Sequence, residues 1–418
     1  YLDANVIKIS WIESLGWIYE NKPEGARALL STVAGSMITV AGVVFSITIV
    51  ALTLASTQYG PRLLGNFMRD KGNQVVLGTF IATFTYCLLI LRTIRGGEDS
   101  SFVPHLSVTI GVLFAIFSIS VLIYFIHHAA TSIQASNVIS GVSKNLEYTI
   151  DLTFPERIGQ GKIELPDWWN APNELPPDFE EDLYSVLASE SGYLRTIDNI
   201  GILDIAIDED LILKVENHPG DFIVKGSPIV RVWPSSKCDE EIQNKISSTL
   251  LIGNKRTSEQ DTEFAIDQLV EIAIRALSPG INDPFTAIMC IDHLSVALSR
   301  VAGRSAPSSL RYDENNKLRV IAKPTTFDDL LNSAFNQIRQ YGRTSVSVTI
   351  RLLESLIVIA SNTQREKDYE SIRRHAEMIK RGSDEGLPEK LDRRDVDQRY
   401  KQLIEISHEE NGPSELTL

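Results

Sequence analysis

Three long stretches without any Asp, Glu, Lys or Arg constrain the fold of this chain most. They lie between Arg27 and Arg62, between Lys71 and Arg92, and between Asp99 and Lys144. Each contains an apolar run of about the 20 residues that an α-helix needs to cross roughly 30 Å of hydrocarbon. The sequence therefore predicts an α-helical membrane domain with three spans, centred on residues 33–54, 75–91 and 106–126.

The loops between the predicted spans indicate the orientation. The first loop carries Arg62, Arg69 and Lys71 against a single Asp70, whereas the second loop is balanced in charge. Basic residues favour the cytoplasmic side, so the first loop and everything after the third span are predicted to be cytoplasmic. The residues before the first span are then outside. Because the chain begins there with Tyr1, we expect a fourth spanning helix upstream.

The remaining sequence divides by composition and periodicity into further segments. The predicted organisation is an extracytoplasmic interfacial segment at 1–28, transmembrane helices at 29–130, a helical extension and proline-rich connector at 131–180, a β module at 181–235, a cytoplasmic helical domain at 236–363, and a charged C-terminal helix and tail at 364–418. The fold class is thus a helical membrane domain followed by a cytoplasmic α+β region.

The β module is predicted to be all-β, with about six short strands, because apolar and polar residues alternate and HPGD supplies a turn. Its motifs SGY and PGDFIVKGSPI, within residues 191–232, resemble the barrel-sandwich hybrids of biotinyl and lipoyl carrier domains and of membrane-fusion adaptors. Carrier domains present a modified lysine in a hairpin, and no such hairpin exists here. The resemblance therefore implies the shape of the module and no cofactor.

Charge and motif content exclude several function classes. The net charge of −14 disfavours nucleic acid as a partner. Cys87, Cys238 and Cys290 have no metal-ligand spacing and form no disulfide framework, which indicates a reducing compartment. No HExxH, nucleophile elbow or Walker loop is present, and no span carries a central ionisable residue. We therefore expect neither an enzyme, nor a metal or cofactor, nor a proton-coupled transporter.

The first span carries a stripe of small residues at alternating steps of four and three. The small-residue stripe, as we call it, consists of Gly35, Thr39, Gly42, Ser46, Thr53 and Ser56. Ile49 occupies the remaining position of the pattern. Small residues on one helix face mark close helix approach, so one interpretation is a packing seam within or between subunits. The other is a pore-lining face, in which the hydroxyls meet permeating ions.

A second candidate site is the joint ALSPGINDPFTA, which separates two predicted helices. Arg275 is predicted near the end of the first helix, with Pro279 and Gly280 stopping it. Asn282 or Asp283 is predicted to cap the second helix, which starts at Pro284. Capping chemistry alone accounts for these residue types. However, a carboxylate, an amide and a helix N-terminus near an arginine also suit a small ligand or ion, with Arg275, Ser278, Asn282 and Asp283 as the candidate residues.

The segments FSITIVALTLASTQYGPRLL, GTFIATFTYCLL and RALSPGINDPFTA together resemble a family of bacterial membrane proteins defined only as a domain of unknown function. The resemblance extends over nearly the whole chain, and RALSPGINDPFTA is its most specific signature. It implies a four-helix membrane region followed by a cytoplasmic domain, in the bacterial inner membrane. It implies no enzymatic activity and no substrate.

Two functional hypotheses follow from these patterns. The leading one is a homo-oligomeric channel or passive permeation protein, with the small-residue stripe near the symmetry axis, ions as the permeating species and the cytoplasmic domain in a regulatory role. The alternative is a membrane-anchored sensor or scaffold that binds a ligand or partner at the joint and transports nothing. Both have the lipid bilayer as a partner.

Overall fold

Helix α1 (Pro23–Tyr59) begins the described part of the chain and is the longest element in it. In this computed structural model the described residues are 22–63, 70–96, 102–154, 175–304 and 308–409. Most of the predicted interfacial segment, most of the proline-rich connector and the end of the tail lie outside these ranges. The described chain forms two units, divided between Val138 and Ile139.

The N-terminal unit consists of α1, α2 (Lys71–Thr93) and α3 (His105–Ser132), which cover the three predicted spans. At 1.5 Å per residue, the 37 residues of α1 extend about 55 Å, well beyond the thickness of a hydrocarbon layer. A fourth helix, α8 (Pro284–Ala302), is also long and apolar enough to cross a membrane by length and composition. However, 56% of its apolar window is buried, against 17–22% for α1–α3. It is a core helix of the C-terminal unit.

One face of α1 packs against α2 and α3. Its buried residues recur at steps of three and four, which keeps them on one side of the helix. They include Ala26, Leu30, Ala34, Met37, Ala41 and Val44. Phe80 of α2 and Phe125 of α3 fill the space beside the second half of this row.

Polar contacts fix the ends and the middle of the three-helix unit. A guanidinium nitrogen of Arg27 donates to the carbonyl of Ile94 at 2.8 Å, and the hydroxyl of Tyr59 donates to the carbonyl of Ile133 at 2.8 Å. In the middle, the hydroxyls of Thr83 and Ser118 lie 3.2 Å apart and both side chains are buried. Because lipid offers no competing hydrogen-bond partners, such contacts specify how the helices pack.

His128 makes a contact that the sequence did not reveal. Its Nε2 lies 2.6 Å from Oδ2 of Asp70, and Oδ1 of the same carboxylate accepts the backbone N–H of Gly72 at 2.8 Å. Asp70 therefore caps the start of α2 and also connects it to the end of α3.

The C-terminal unit begins with α4 (Ala135–Thr153), most of which belongs to it, followed by a mixed α/β region. The elements of this region are β1 (Tyr184–Leu187), β2 (Gly192–Ile197), α5 (Asn199–Asp208), β3 (Ile212–Val215), β4 (Phe222–Ile223), β5 (Pro228–Trp233), α6 (Glu240–Ser248) and β6 (Leu250–Gly253). Two strands join them from farther along, β7 (Leu310–Tyr312) and β8 (Leu318–Ala322).

The strands form two sheets, and the all-β interpretation of the module is wrong. One sheet has the order β1-β5-β3-β8-β7, in which β3 and β8 are parallel, and the other has the order β4-β2-β6. Helix α5 interrupts the predicted strands because Asp198 caps its first turn and Ile202 and Ala206 face the core. Strands β6, β7 and β8 come from outside residues 181–235. The barrel-sandwich detail is not confirmed.

The rest of the C-terminal unit is helical. After α7 (Thr262–Ala276) and α8 come α9 (Phe327–Gly342), α10 (Val346–Ala360), α11 (Glu366–Gly386) and α12 (Lys390–Glu409). Helix α4 docks on α8 through polar contacts: Arg300 pairs with Glu147 at 2.9 Å, and Nδ1 of His293 lies 2.9 Å from the hydroxyl of Ser143. Thr326 and Asp329 form a reciprocal capping box at the start of α9.

His375 of α11 is fully buried. Its burial predicts that the folded chain loses stability in acid. Burial, followed by the charges of Arg374 and Arg339, lowers the pKa of His375 to about 4. The unfolded chain therefore binds a proton at higher pH than the folded chain, and stability is lost as the pH falls from about 6.5 towards 4.

We expect the titration of His375 to lower the free energy of unfolding by about 2 kcal/mol when the pH falls from 8 to 5. His375→Gln keeps an N–H donor near Asn332 and removes the titration, so its stability should change less with pH. The measurement is urea unfolding of the full chain in detergent at both pH values, followed by tryptophan fluorescence. An equally steep loss of stability in His375→Gln would contradict this assignment.

Candidate functional site

The small-residue stripe lies on a different face of α1 from the row that packs against α2 and α3. Gly35, Thr39, Gly42, Ser46 and Thr53 are exposed, and Ser56 is half-buried. A Cβ atom built on Gly35 or Gly42 would meet nothing within 4 Å. The stripe is therefore not the packing seam of α1 with the other two described helices of its own unit. A seam with another segment or with a neighbouring copy, and a pore-lining face, both stay predictions.

Three hydroxyls of the stripe are satisfied within α1 itself. Thr39 donates to the carbonyl of Gly35 at 2.8 Å, Ser46 donates to that of Gly42 at 2.9 Å, and Thr53 donates to that of Ile49 at 2.9 Å. The stripe can consequently face lipid without an unsatisfied donor. The hydroxyl oxygens keep lone pairs that can accept a hydrogen bond or approach a cation.

Larger apolar side chains flank the stripe on both sides. On a helical projection Ile38 and Phe45 lie on one side of it, and Val43 and Val50 lie on the other. These four side chains are 46–58% exposed. The exposed surface of α1 is therefore a shallow groove of small residues between two apolar ridges, which is a shape that accepts another helix.

The joint connects α7 to α8 and is closed by its own hydrogen bonds. The hydroxyl of Ser278 donates to the carbonyl of Arg275 at 2.6 Å, and the backbone N–H of Asn282 donates to the carbonyl of Ser278 at 2.9 Å. The backbone N–H of Asp283 donates to the carbonyl of Ala276 at 2.8 Å. Arg275 pairs with Glu271, one turn earlier in α7, at 3.4 Å.

Asp283, rather than Asn282, is the N-cap of α8. Its carboxylate accepts the backbone N–H of Thr286 at 3.2 Å and the hydroxyl of Thr286 at 2.6 Å. Asn282 has a φ of 51°, the left-handed conformation that Asn tolerates better than most residues. The carboxylate of Asp283 thus occupies the position where an external anion would meet the first turn of α8.

Two apolar side chains beside the cap are exposed. Phe285 is 78% exposed and Ile281 is 46% exposed, while Thr286 and Ala287 of the same turn are buried. Exposing an aromatic ring next to a well-formed cap has no benefit for the stability of the cap. This apolar pair was not singled out in the sequence, although PGINDPF contains both residues.

The cysteines do not form a reactive centre. All three are buried and free of disulfides. Burial raises the pKa of the Cys238 thiol to about 11 and raises that of Cys290 further, so both thiols are protonated at neutral pH. Among the described residues, no group of three or more His, Cys, Asp or Glu side chains could hold a metal ion.

Comparison with known proteins gives a family and no activity. The model of the family described as "Predicted membrane protein (DUF2254)" matches residues 1–357. Uncharacterized proteins of Mycobacterium bovis and Mycobacterium tuberculosis are each 34% identical over 350 residues, which is 82% of this chain. The chain spans 66% of the length of these relatives. No solved structure matches it significantly.

The joint generates a prediction about capping. We expect Asp283→Ala to lower the unfolding free energy by about 1 kcal/mol, because the first turn of α8 loses its cap. Asp283→Ser should retain most of the stability, since its hydroxyl can also accept the N–H of Thr286. Asn282→Gly is the matched control and should be nearly neutral, because glycine adopts the left-handed conformation readily.

These variants are compared by urea unfolding of the full chain in detergent. A loss in Asn282→Gly as large as that in Asp283→Ala would show that the side chain of Asn282 has a role beyond its backbone conformation.

Proposed function

The chain belongs to the DUF2254 family of predicted membrane proteins, and we propose that it forms a homo-oligomer that conducts ions passively across the bacterial inner membrane. In this proposal the small-residue stripes of neighbouring copies meet around a common axis. The C-terminal unit lies on the cytoplasmic side, as the basic residues of the first loop favour, and regulates the opening.

The observation that carries the proposal is the exposure of the stripe. Helix α1 keeps small and hydroxyl-bearing residues on the face that the described residues of its own unit leave uncovered. Large apolar residues would solvate such a face in lipid equally well. Small residues have a physical purpose when another backbone comes close. The alternating steps of four and three give a period of 3.5 residues, which favours a left-handed helix assembly.

The hydroxyls support an ion pathway over a dry seam. Oxygen atoms at Thr39, Ser46 and Thr53 lie along one line of the helix, and each hydroxyl proton is already donated within α1. The oxygens therefore present lone pairs, which suit a partly dehydrated cation better than an anion. The acidic charge of the whole chain would also concentrate cations near an opening.

Disulfide crosslinking tests the assembly. Ser46→Cys is nearly isosteric and places a thiol on the stripe, whereas Ile47→Cys places one at an exposed position outside the stripe and its four flanking side chains. Under mild oxidation in native-like lipid, we expect a crosslinked dimer for Ser46→Cys and little for Ile47→Cys. The native cysteines are buried and serve as the background. Equal crosslinking at both positions, or at neither, would count against a stripe-mediated assembly.

Conductance in planar bilayers tests the function. We expect Gly42→Leu to abolish the current by preventing close approach, and Ile47→Phe, at an exposed position outside the groove, to leave it intact. Ser46→Ala and Thr53→Ala should preserve the oligomer but change ion selectivity by a few-fold, because they remove oxygen atoms from the pathway. If well-folded wild-type oligomers carry no current over a range of ions, pH and tension, the stripe is a seam and the channel proposal fails.

The exposed apolar pair at the joint favours a second function, a membrane-anchored sensor or scaffold. Phe285 and Ile281 offer an apolar contact beside the carboxylate of Asp283, a combination that suits a ligand or partner with an apolar and a polar part.

A thermal-shift screen of the full chain in detergent with nucleotides, divalent cations and metabolites tests it. A ligand-induced rise of the thermal midpoint that occurs in the wild type and is absent from both Phe285→Ala and Asp283→Ser supports this function. A panel without any such shift argues against it.

A further inference from the structure

A line of polar side chains follows the contact between α9 and α11. At one end its members satisfy each other. Arg374 donates to Asp328 and also to the side-chain oxygen of Asn332, the latter at 3.3 Å. Nε2 of His375 lies 3.0 Å from the same oxygen. This end of the line combines a guanidinium, a carboxylate and an amide, so its charges are balanced.

The other end of the line is not balanced. Arg339 of α9, Arg343 just after it and Arg381 of α11 line one cavity of about 280 Å³. Within the described residues, none of these three guanidinium groups has an ion pair or a hydrogen bond to another side chain. Nε of Arg339 is buried without a partner.

Several other buried or partly buried arginines of the C-terminal unit form an ion pair with a carboxylate. Arg256 contacts Asp261 at 2.8 Å, Arg319 contacts Asp313 at 2.8 Å, and Arg365 contacts Asp368 at 2.6 Å. Arg339, which is half-buried, departs from this pattern, whereas Arg343 and Arg381 are exposed. Burial, followed by the positive charge of Arg381, lowers the pKa of Arg339.

We propose that this cavity, which we call the arginine groove, binds a small anion that carries a phosphate group. Guanidinium groups bind phosphate oxygens through paired hydrogen bonds, and a buried unpaired Nε is a donor that lacks an acceptor. Leu352, Met378 and Ile379 form an apolar wall that can contact the rest of the ligand. The volume suits a pyrophosphate or a small phosphate ester, since larger ligand pockets begin at about 300 Å³.

The groove contains one feature that opposes an anion. Glu385 lines it, is exposed, and follows Arg381 by one helical turn of α11. At that spacing its carboxylate can turn towards Arg381 when the groove holds no ligand and away from it when an anion binds. Glu385→Gln is therefore expected to strengthen anion binding.

The test measures binding of pyrophosphate to the full chain in detergent by calorimetry, at constant ionic strength set with chloride. We expect saturable binding by the wild type. Arg343→Ala and Arg381→Ala, both at exposed positions, should each weaken it about tenfold, the usual effect of losing one charge-assisted hydrogen bond. Arg373→Ala is the matched control, because Arg373 is also exposed on α11 but does not line the groove.

A second readout separates a binding site from a structural cluster. Without ligand, Arg381→Ala should raise the thermal midpoint, because it removes a like charge from beside Arg339. At a fixed concentration, pyrophosphate should raise the midpoint of the wild type clearly more than that of Arg381→Ala. Replacing pyrophosphate by a short-chain phosphatidic acid shows whether a soluble phosphate ester or a lipid headgroup is the better ligand.

Three results would overturn the proposal. They are no saturable binding by the wild type, an equal loss of affinity in Arg373→Ala, and a lower midpoint of Arg381→Ala in the absence of ligand. None of these measurements depends on ion conduction, so the arginine groove and the proposed channel can fail separately.

Discussion

The surroundings of α1 determine most of the N-terminal unit. In hydrocarbon a helix satisfies its backbone internally and gains little from hiding apolar surface, so packing depends on shape and on scattered hydrogen bonds. One face of α1 has a matching shape and such hydrogen bonds. Alanines lie in its buried row, and Arg27 and Tyr59 donate hydrogen bonds near its two ends. The opposite side has the shape, but no described residue of this unit packs against it. This contrast between two faces of one helix is the basis for placing other copies against it.

Features with a local cause could be predicted from the sequence. Charge-free length is sufficient to identify α1, α2 and α3, because the hydrocarbon layer sets the requirement. The stop and restart at the joint also follow from adjacent residues, since Pro284 and the carboxylate of Asp283 act within a single turn. The choice between Asn282 and Asp283 was left open by the sequence. It depends on backbone dihedral angles that both residue types can adopt.

Features assembled from distant segments could not be predicted. The sheet takes β8 from about a hundred residues after β3, and no pattern inside residues 181–235 indicates a partner so far away. The segment NIGILDIAID reads as strand by alternation, yet the cap at Asp198 makes it helical. The arginine groove also has this character, because Arg339 and Arg381 come from different helices. The spacing of Arg339 and Arg343 can be read from the sequence, but the approach of Arg381 to them depends on the fold.

The three unusual places in this chain differ in what they demand of a partner. The stripe and the joint are internally satisfied: hydroxyl protons are donated within α1, and the first turn of α8 has its own carboxylate. A partner there would gain contact area or access to oxygen atoms without relieving any cost. In the arginine groove, by contrast, a buried donor lacks an acceptor and like charges repel. Stability alone would favour replacing one of these arginines, so a bound anion in the arginine groove would relieve a cost that a partner at the stripe or the joint would not.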